Sequence, residues 1–541
     1  MTVRLRPMCL ALLAAASLAV SARGGLDSSG VGTLLDMTFD GLVTTDYSWN
    51  HEATVRDQLL YTVGSLNASN AVGRLDEVVL TNVRATVGRD GRYEISYHAR
   101  MPVGWGSKTD LPATFTFMLP RDVSYSGVES FSRKYGRTCV DFGAHDVSPS
   151  SMWFYYRPRA QNCSLAPRDI VKFAASVTVS QANTTGKFPE YHKVWEDDEL
   201  RVIAIFGKYV DGATTSADAG VSAYNAFVRA SKTKLMTSGS QYETTPASVP
   251  SSPGTSVPSV EQRVRLGDGK RVTVSAFLID SIVAAGEAFD SRYETLSGRA
   301  DLIVYNGHGA LGSNTRALAR KGSWIAGQYV VVFLNGSDSF AYVDSDLFTR
   351  HAEINTDDPA GTKYTEIIAN AMPAFFANHS ASTMTLINGF LSYATPQTYE
   401  TILGQMTPGQ VAIVMGEGDN TFVPSPPSDS APALPMRVQS SVKKGEEKRT
   451  ATGTLPAGNY LVTLTHDPDA PGGDADLYVR LGSEPTLSTY DCRPYKSGSN
   501  ETCAITLAAP ARIFTIVRGY ADRSNAFILT ISSIGLYYAR S

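Results

Sequence analysis

Two short apolar runs, residues 302–305 (LIVY) and 329–334 (YVVVFL), constrain this chain more than any other feature. Neither alternates with polar residues, so a strand formed by either must be covered on both faces, as in a parallel sheet flanked by helices. Each is too short for an ordinary helix, and Val and Ile favour the extended backbone. Each also ends in a turn: Asn306-Gly307-His308-Gly309 after the first, Asn335-Gly336-Ser337-Asp338-Ser339 after the second. In an open α/β sheet, ligands bind beyond the carboxyl ends of the strands. His308 and Ser337 are therefore expected to face one crevice. They stand 29 residues apart, which leaves room for one crossover helix.

The flanking sequence repeats a strand–helix rhythm. Residues 200–206 and 271–277 read as strands, 221–230 and 282–296 as helices, and 315–321 as a polar helix. Further helices are predicted at 364–371 and 382–391, and a last strand at 410–415. Such alternation implies a parallel sheet with right-handed crossovers over residues 199–421. A Ser/Thr/Pro-rich stretch, 237–259, reads as an exposed loop within that domain. Residues 23–190 predict a β-rich N-terminal domain, with helical spacing at 50–66 and extended runs at 77–87, 93–99, 113–119 and 151–156. A Pro-rich linker, 422–435, precedes residues 436–533, whose alternation at 460–465 and 514–517 indicates a C-terminal β-sandwich. A chain of 541 residues is too long for a single core, which agrees with this multidomain organisation.

Arg4 and Arg6, the apolar stretch 8–20 and Val20-Ser21-Ala22 have the pattern of an export signal peptide, residues 1–22. The apolar stretch is shorter than the roughly 20 residues needed to span a bilayer. A secreted, periplasmic or cell-surface location follows. Cys9 falls inside the signal and leaves Cys139, Cys163, Cys492 and Cys503. An even count in an exported chain suggests disulfides. Three pairings are open, and local pairing, Cys139–Cys163 and Cys492–Cys503, is the economical one. With a net charge of −4 and no Lys/Arg cluster, nothing attracts nucleic acid.

The order strand–Gly-His-Gly, then strand–Asn-Gly–nucleophile–Asp-Ser, resembles the caspase, legumain and gingipain group of cysteine peptidases. The resemblance implies a caspase-like α/β fold with His308 as acid/base residue and position 337 as nucleophile. The N–H groups of Gly309 and residue 337 would then hold the oxyanion. Where the group has cysteine, this chain has Ser337. A free thiol is already about 3% ionised at neutral pH, whereas an alcohol needs a well-placed base. The expected function is that of a pseudopeptidase that binds a protein or peptide without cleaving it. Two alternatives stand beside it. One is an active secreted hydrolase using His308 with Ser337, and the other is an adhesive or structural surface protein whose partner is matrix or cell-surface material. No G-x-S-x-G elbow or H-E-x-x-H helix is present, and His308 and His351 lack a matching Cys pair for zinc.

Residues 473–480 (GDADLYVR), followed by 490–495 (YDCRPY) and 500–503 (NETC), resemble the bacterial prepeptidase C-terminal domain, a small β-sandwich appended to secreted peptidases. No cofactor is expected. Asp474 and Asp476, with Asp467 and Asp469, are the candidate oxygen ligands for calcium, and turn capping explains the same carboxylates. Cleavage after Ala22 predicts that N-terminal sequencing of exported protein reads from Arg23, and an intact Met1 on such material would contradict it.

Overall fold

A computed structural model describes residues 26–28, 32–144, 147–424 and 434–533. The expected signal, 1–22, and most of the expected linker, 422–435, lie outside the described residues. Residues up to Phe422 form one compact unit and those from Val423 a second. The segments 23–190 and 199–421, read from the sequence as two domains, thus fold as one.

The strands of the first unit, in chain order, are β1 (Leu26–Ser28), β2 (Thr33–Thr45), β3 (Ala71–Gly73), β4 (Val79–Val87), β5 (Tyr93–Trp105), β6 (Thr114–Pro120), β7 (Ile170–Val179) and β8 (Asn183–Thr184). There follow β9 (Glu199–Gly207), β10 (Gly239–Thr245), β11 (Ser259–Leu266), β12 (Arg271–Ile279), β13 (Leu302–Asn306), β14 (Val330–Asn335), β15 (Thr365–Asn370) and β16 (Ala412–Met415). One antiparallel sheet has the order β3-β5-β2-β7-β6, with β4 also on β5. The other has the order β10-β11-β12-β9-β13-β14-β15-β16-β1-β8. Its centre, β12-β9-β13-β14-β15, is wholly parallel, and β16 returns antiparallel. Every residue of β13, β14 and β15 is buried, the condition that their unbroken apolar runs demand.

The two sheets share a core. Gly104 of β5 lies so close to the parallel sheet that a β-carbon there would stand 2.6 Å from Ile413 and 3.1 Å from Ala371. The buried Arg74 donates through Nη2 to the Val343 carbonyl at 2.9 Å. The disulfide Cys139–Cys163 closes the segment between β6 and β7.

Four local expectations are corrected. The expected helix 364–371 is instead the strand β15, Thr365–Asn370, because Thr365, Ile367 and Ile368 are β-branched and covered on both faces. Residues 151–156 contain a helical turn, Met152–Tyr155, rather than a strand: Met152, Trp153 and Tyr156 are the buried positions, a helical spacing rather than an alternating one. The expected loop 237–259 instead ends a helix at Ser238 and continues as the edge strand β10, whose exposed Gln241, Glu243 and Thr245 alternate with half-buried Tyr242 and Thr244. Finally, 410–415 ends in a strand that runs against its neighbour β15, not with it.

The second unit is strand-rich and built as a sandwich: β17 (Met436–Val442), β18 (Glu447–Ala451), β19 (Gly458–His466), β20 (Ala475–Leu481), β21 (Glu501–Leu507), β22 (Ile513–Gly519) and β23 (Asn525–Ser533). Its sheets have the orders β17-β23-β19-β21 and β18-β22-β20, all antiparallel. Alternate residues such as Val462, Leu464, Leu477 and Val479 fill the space between them. Cys492–Cys503 ties the long β20–β21 connection to β21.

Candidate functional site

From β9 the chain crosses to the edge strand β10, returns through β11 to β12 beside β9, and then passes to β13 on the other side of β9. That reversal opens a crevice at the carboxyl ends of β9 and β13, the usual ligand position in such sheets. His308 lies there, two residues beyond β13. Its Nε2 lies 3.0 Å from the carbonyl oxygen of Tyr209, just past β9. A neutral ring must donate to that carbonyl, so Nδ1 is left as its basic nitrogen. Tyr209 is itself anchored. Asp218, the N-cap of helix Ala219–Ser238, accepts from the N–H groups of Tyr209 at 3.1 Å and Val210 at 2.8 Å as well as from Gly220 and Val221. The four N–H donors together hold the Asp218 carboxyl below its ordinary range. A backbone carbonyl, rather than a carboxylate, thus orients the imidazole.

The two turns meet backbone to backbone. A β-carbon on Gly336 would stand 3.0 Å from the Gly307 carbonyl oxygen and 3.1 Å from the Gly309 nitrogen, so only glycine allows this approach. His308, Gly309 and Ser337 accordingly line one cleft of about 650 Å³. Among the described residues, the N–H groups of Gly309 and Ser337 donate to no protein acceptor. The serine hydroxyl accepts from Ala374 N–H at 3.1 Å and donates to the Ala374 carbonyl at 3.3 Å. Its hydrogen-bond partner is therefore Ala374, not His308.

Three asparagines that the sequence reading passed over secure these turns. Asn306, Asn335 and Asn370 end β13, β14 and β15, and all are fully buried. Asn335 donates to Asn306 at 2.7 Å, Asn370 donates to Asn335 at 2.9 Å, and Gln410 donates to Asn335 and Asn370 at 3.0 Å each. Thr383 closes the row by donating to Asn306 at 3.1 Å. The signal was visible in the sequence, where three apolar runs each end in Asn. It was missed because residues 364–371 read as a helix.

The cleft walls were also missed. Trp153 and Phe154 come from the β-rich segment, and Phe375 and Phe376 from the start of helix Phe376–Phe390. The rings of Tyr209, His308 and Phe376 stand in mutual contact, with centroids 5.1 to 5.3 Å apart. Behind Phe376, His379 is buried with neither ring nitrogen hydrogen-bonded, and burial, with His308 nearby, lowers it to about 3. His351, remote in sequence from both turns, is likewise buried and lowered to about 4.

Next to Ser337, Asp338 is fully buried in a left-handed backbone conformation (φ 52°). It accepts one hydrogen bond, from Asn67 at 2.9 Å, and its other oxygen has no partner. Loss of hydration pushes it up to about 7, with Asn67 opposing the shift.

In the second unit three of the four calcium candidates have protein partners. Asp467 accepts from Gln439 and Asp469 N–H, Asp474 accepts from Gly498 N–H, and Asp476 pairs with Arg493 at 3.3 Å. Among the described residues no group of three or more His, Cys, Asp or Glu could hold a metal ion. No described helix is long and apolar enough to cross a membrane.

The bacterial pre-peptidase C-terminal domain model matches residues 449–516. The chain is similar to the zinc metalloprotease of Helicobacter pylori, 39% identical over 90 residues (17% of this chain, 33% of that protein). It is also similar to the hemagglutinin/proteinase of Vibrio cholerae, 39% identical over 90 residues (17% and 14%), and to alkaline serine exoprotease A of Vibrio alginolyticus, 46% identical over 56 residues (10% of each). A similar solved structure, the solution structure of vEP C-ter 100, is 30% identical with a TM-score of 0.15, covering 17% of this chain and 88% of that one. The chain thus spans a third or less of these curated relatives. Its likeness to the metalloproteases runs through the pre-peptidase C-terminal region only. A segment shared by serine and zinc proteases travels independently of catalytic chemistry, so it says nothing about the cleft of the first unit.

Burial of Asp338 sets a pH dependence. Between about pH 4 and 7 the unfolded carboxylate is ionised while the folded one keeps its proton, so stability falls as pH rises across that window. His379 and His351 act in the opposite sense: they stay neutral in the folded chain while unfolded imidazoles protonate below about 6.5, so their contribution falls as pH drops. Asp338→Asn, which tolerates the left-handed backbone, should therefore raise stability at pH 8 by about 2–4 kcal/mol, an advantage that disappears below about pH 4. Urea denaturation at both pH values measures this, and equal stability of the two proteins at pH 8 would contradict it.

Proposed function

We propose that this protein is an exported, peptidase-like binding protein. Its first unit holds a peptide segment across the carboxyl ends of β9, β13 and β14, and its second unit is the accessory domain shared with secreted proteases. The parallel order β12-β9-β13-β14-β15, with His308 and Ser337 after adjacent strands, supports a caspase-like arrangement in which serine occupies the nucleophile position. The observation that carries the reading is the reciprocal pair of hydrogen bonds between the Ser337 hydroxyl and Ala374. An alcohol needs a base aimed at its proton, and here that proton is directed to a carbonyl. What survives is the binding half of the machine: a cleft, and the Gly309 and Ser337 N–H groups free to receive a carbonyl oxygen. Binding and an oxyanion site alone leave only about 10³–10⁴ over the uncatalysed rate.

One feature favours a second reading, an active hydrolase. Those same two N–H donors would serve as an oxyanion site, and a substrate that displaced Ala374 from Ser337 would release the hydroxyl toward His308.

Ser337→Cys separates the two readings, because it supplies a group that ionises near neutral pH while changing one atom. On a mixed peptide pool, purified mature wild type should give no cleavage above background. Ser337→Cys should cleave at least ten-fold above that background, and His308→Ala added to it should remove the gain. Cleavage by wild type that is lost in Ser337→Ala would establish the hydrolase instead. Cleavage by wild type with Ser337→Cys silent would place the nucleophile elsewhere.

A further inference from the structure

We infer that the cleft beside His308 and Ser337 selects a peptide by an uncharged aromatic or large aliphatic side chain, and excludes arginine, lysine and aspartate. This rests on the peptide-binding reading above and names the side chain that reading leaves open. The walls carry the argument. One is the contacting set of Tyr209, His308 and Phe376. Another is the run Trp153, Phe154 and Tyr155, whose neighbouring rings meet nearly edge to face, at 88° and 89°. Phe375 adds a ring that is 67% exposed. Such faces and edges favour a further aromatic ring or a bulky aliphatic group.

The charges are equally telling. Among the described residues no Asp, Glu, Lys or Arg lines this cleft, so a charged side chain entering it would give up water and meet no counter-ion among them. Three other clefts of the first unit carry charged side chains in their walls. The one bounded by Arg92, Arg121, Asp122, Lys134, Arg168 and Asp169 is dense in charge. At about 650 Å³, the cleft falls within the usual range of ligand sites, about 300–1,000 Å³. Its polar groups are also placed for a peptide. The unengaged N–H groups of Gly309 and Ser337 belong to turns that touch, so they can hold one backbone carbonyl while a neighbouring side chain enters the aromatic part.

The test is fluorescence anisotropy of the full mature protein with end-capped, fluorescein-labelled hexapeptides that differ at one central position: Phe, Leu, Arg or Asp. Mass spectrometry confirms that the peptides stay intact during the measurement. The Phe and Leu peptides should bind at least ten-fold more tightly than the Arg and Asp peptides. A second variant, Ala377→Asp, places a carboxylate in the cleft at an exposed position in the first turn of helix Phe376–Phe390, where acidic residues are favoured. It should raise affinity for the Arg peptide at least ten-fold and lower that for the Asp peptide, with an unchanged circular dichroism spectrum showing that it folds. Equal binding of all four peptides, or tighter binding of Arg or Asp, overturns the selectivity while leaving the peptide-binding reading in place. Selectivity unmoved by Ala377→Asp overturns the assignment to this cleft. Binding of none of the four overturns both this inference and the reading on which it rests.

Discussion

The row of buried amides that closes β13, β14 and β15 is the interaction on which the site depends. An asparagine at the end of a fully buried strand must find partners or pay for lost hydration. Asn306, Asn335 and Asn370 find them in one another, with Gln410 and Thr383 completing the row. Among the described residues the row leaves Asn306 Nδ2 without a partner, yet its other links, made in a low-dielectric interior, fix where each strand stops. It therefore fixes where Gly307 and Gly336 begin their turns. Ser339 extends the arrangement by donating to the Leu334 carbonyl and accepting from Asn370 N–H, which clamps the far side of the Ser337 turn. The close approach at Gly336 then follows, and with it the shared cleft of His308 and Ser337.

The sequence spoke clearly where one physical constraint dominated. Unbroken Val- and Ile-rich runs have no stable place except between covering layers, so β13 and β14 were legible, as was the turn chemistry that follows them. The alternation that marks the sandwich was legible for a like reason, and the local pairing chosen as the economical one of three matches both disulfides. It spoke less clearly where tertiary packing decides. Residues 364–371 carry alanines and a glutamate that suit a helix, yet Glu366 lies wholly buried among Tyr329 and Tyr399 hydroxyls and is pushed up to about 7 by loss of hydration. Only the assembled core supplies those hydroxyls. Trp153 and Phe154 are likewise remote from His308 in sequence, and nothing local in 151–156 announces that they face a cleft built by other elements. The boundary between 190 and 199 read as a domain edge, because the strand–helix pattern starts just after it, whereas the core runs through it.

The β-rich segment thereby acquires a role that its sequence did not suggest. It supplies one wall of the cleft through 151–155, and through Asn67 it holds the buried Asp338 beside Ser337. Ser337 sits between two backbone-anchored neighbours, and its hydroxyl is bonded to a third residue. The Ser337 hydroxyl is thus engaged by Ala374 and not by His308, which is the geometric basis of the proposal that the cleft captures a peptide without turning it over. The pre-peptidase C-terminal region is similar to segments of both serine and zinc proteases, so its presence does not define the chemistry of the cleft.

The most direct test of this account is where a peptide touches the chain. A capped hexapeptide carrying benzoylphenylalanine at its centre, irradiated with the full mature protein and mapped by mass spectrometry, reports that contact without requiring turnover. Crosslinks on residues 151–155 and 374–377, lost on competition with the unlabelled Phe peptide, are the predicted result. Competable crosslinks confined to residues 434–533, or to surfaces of the first unit away from these two segments, would contradict it.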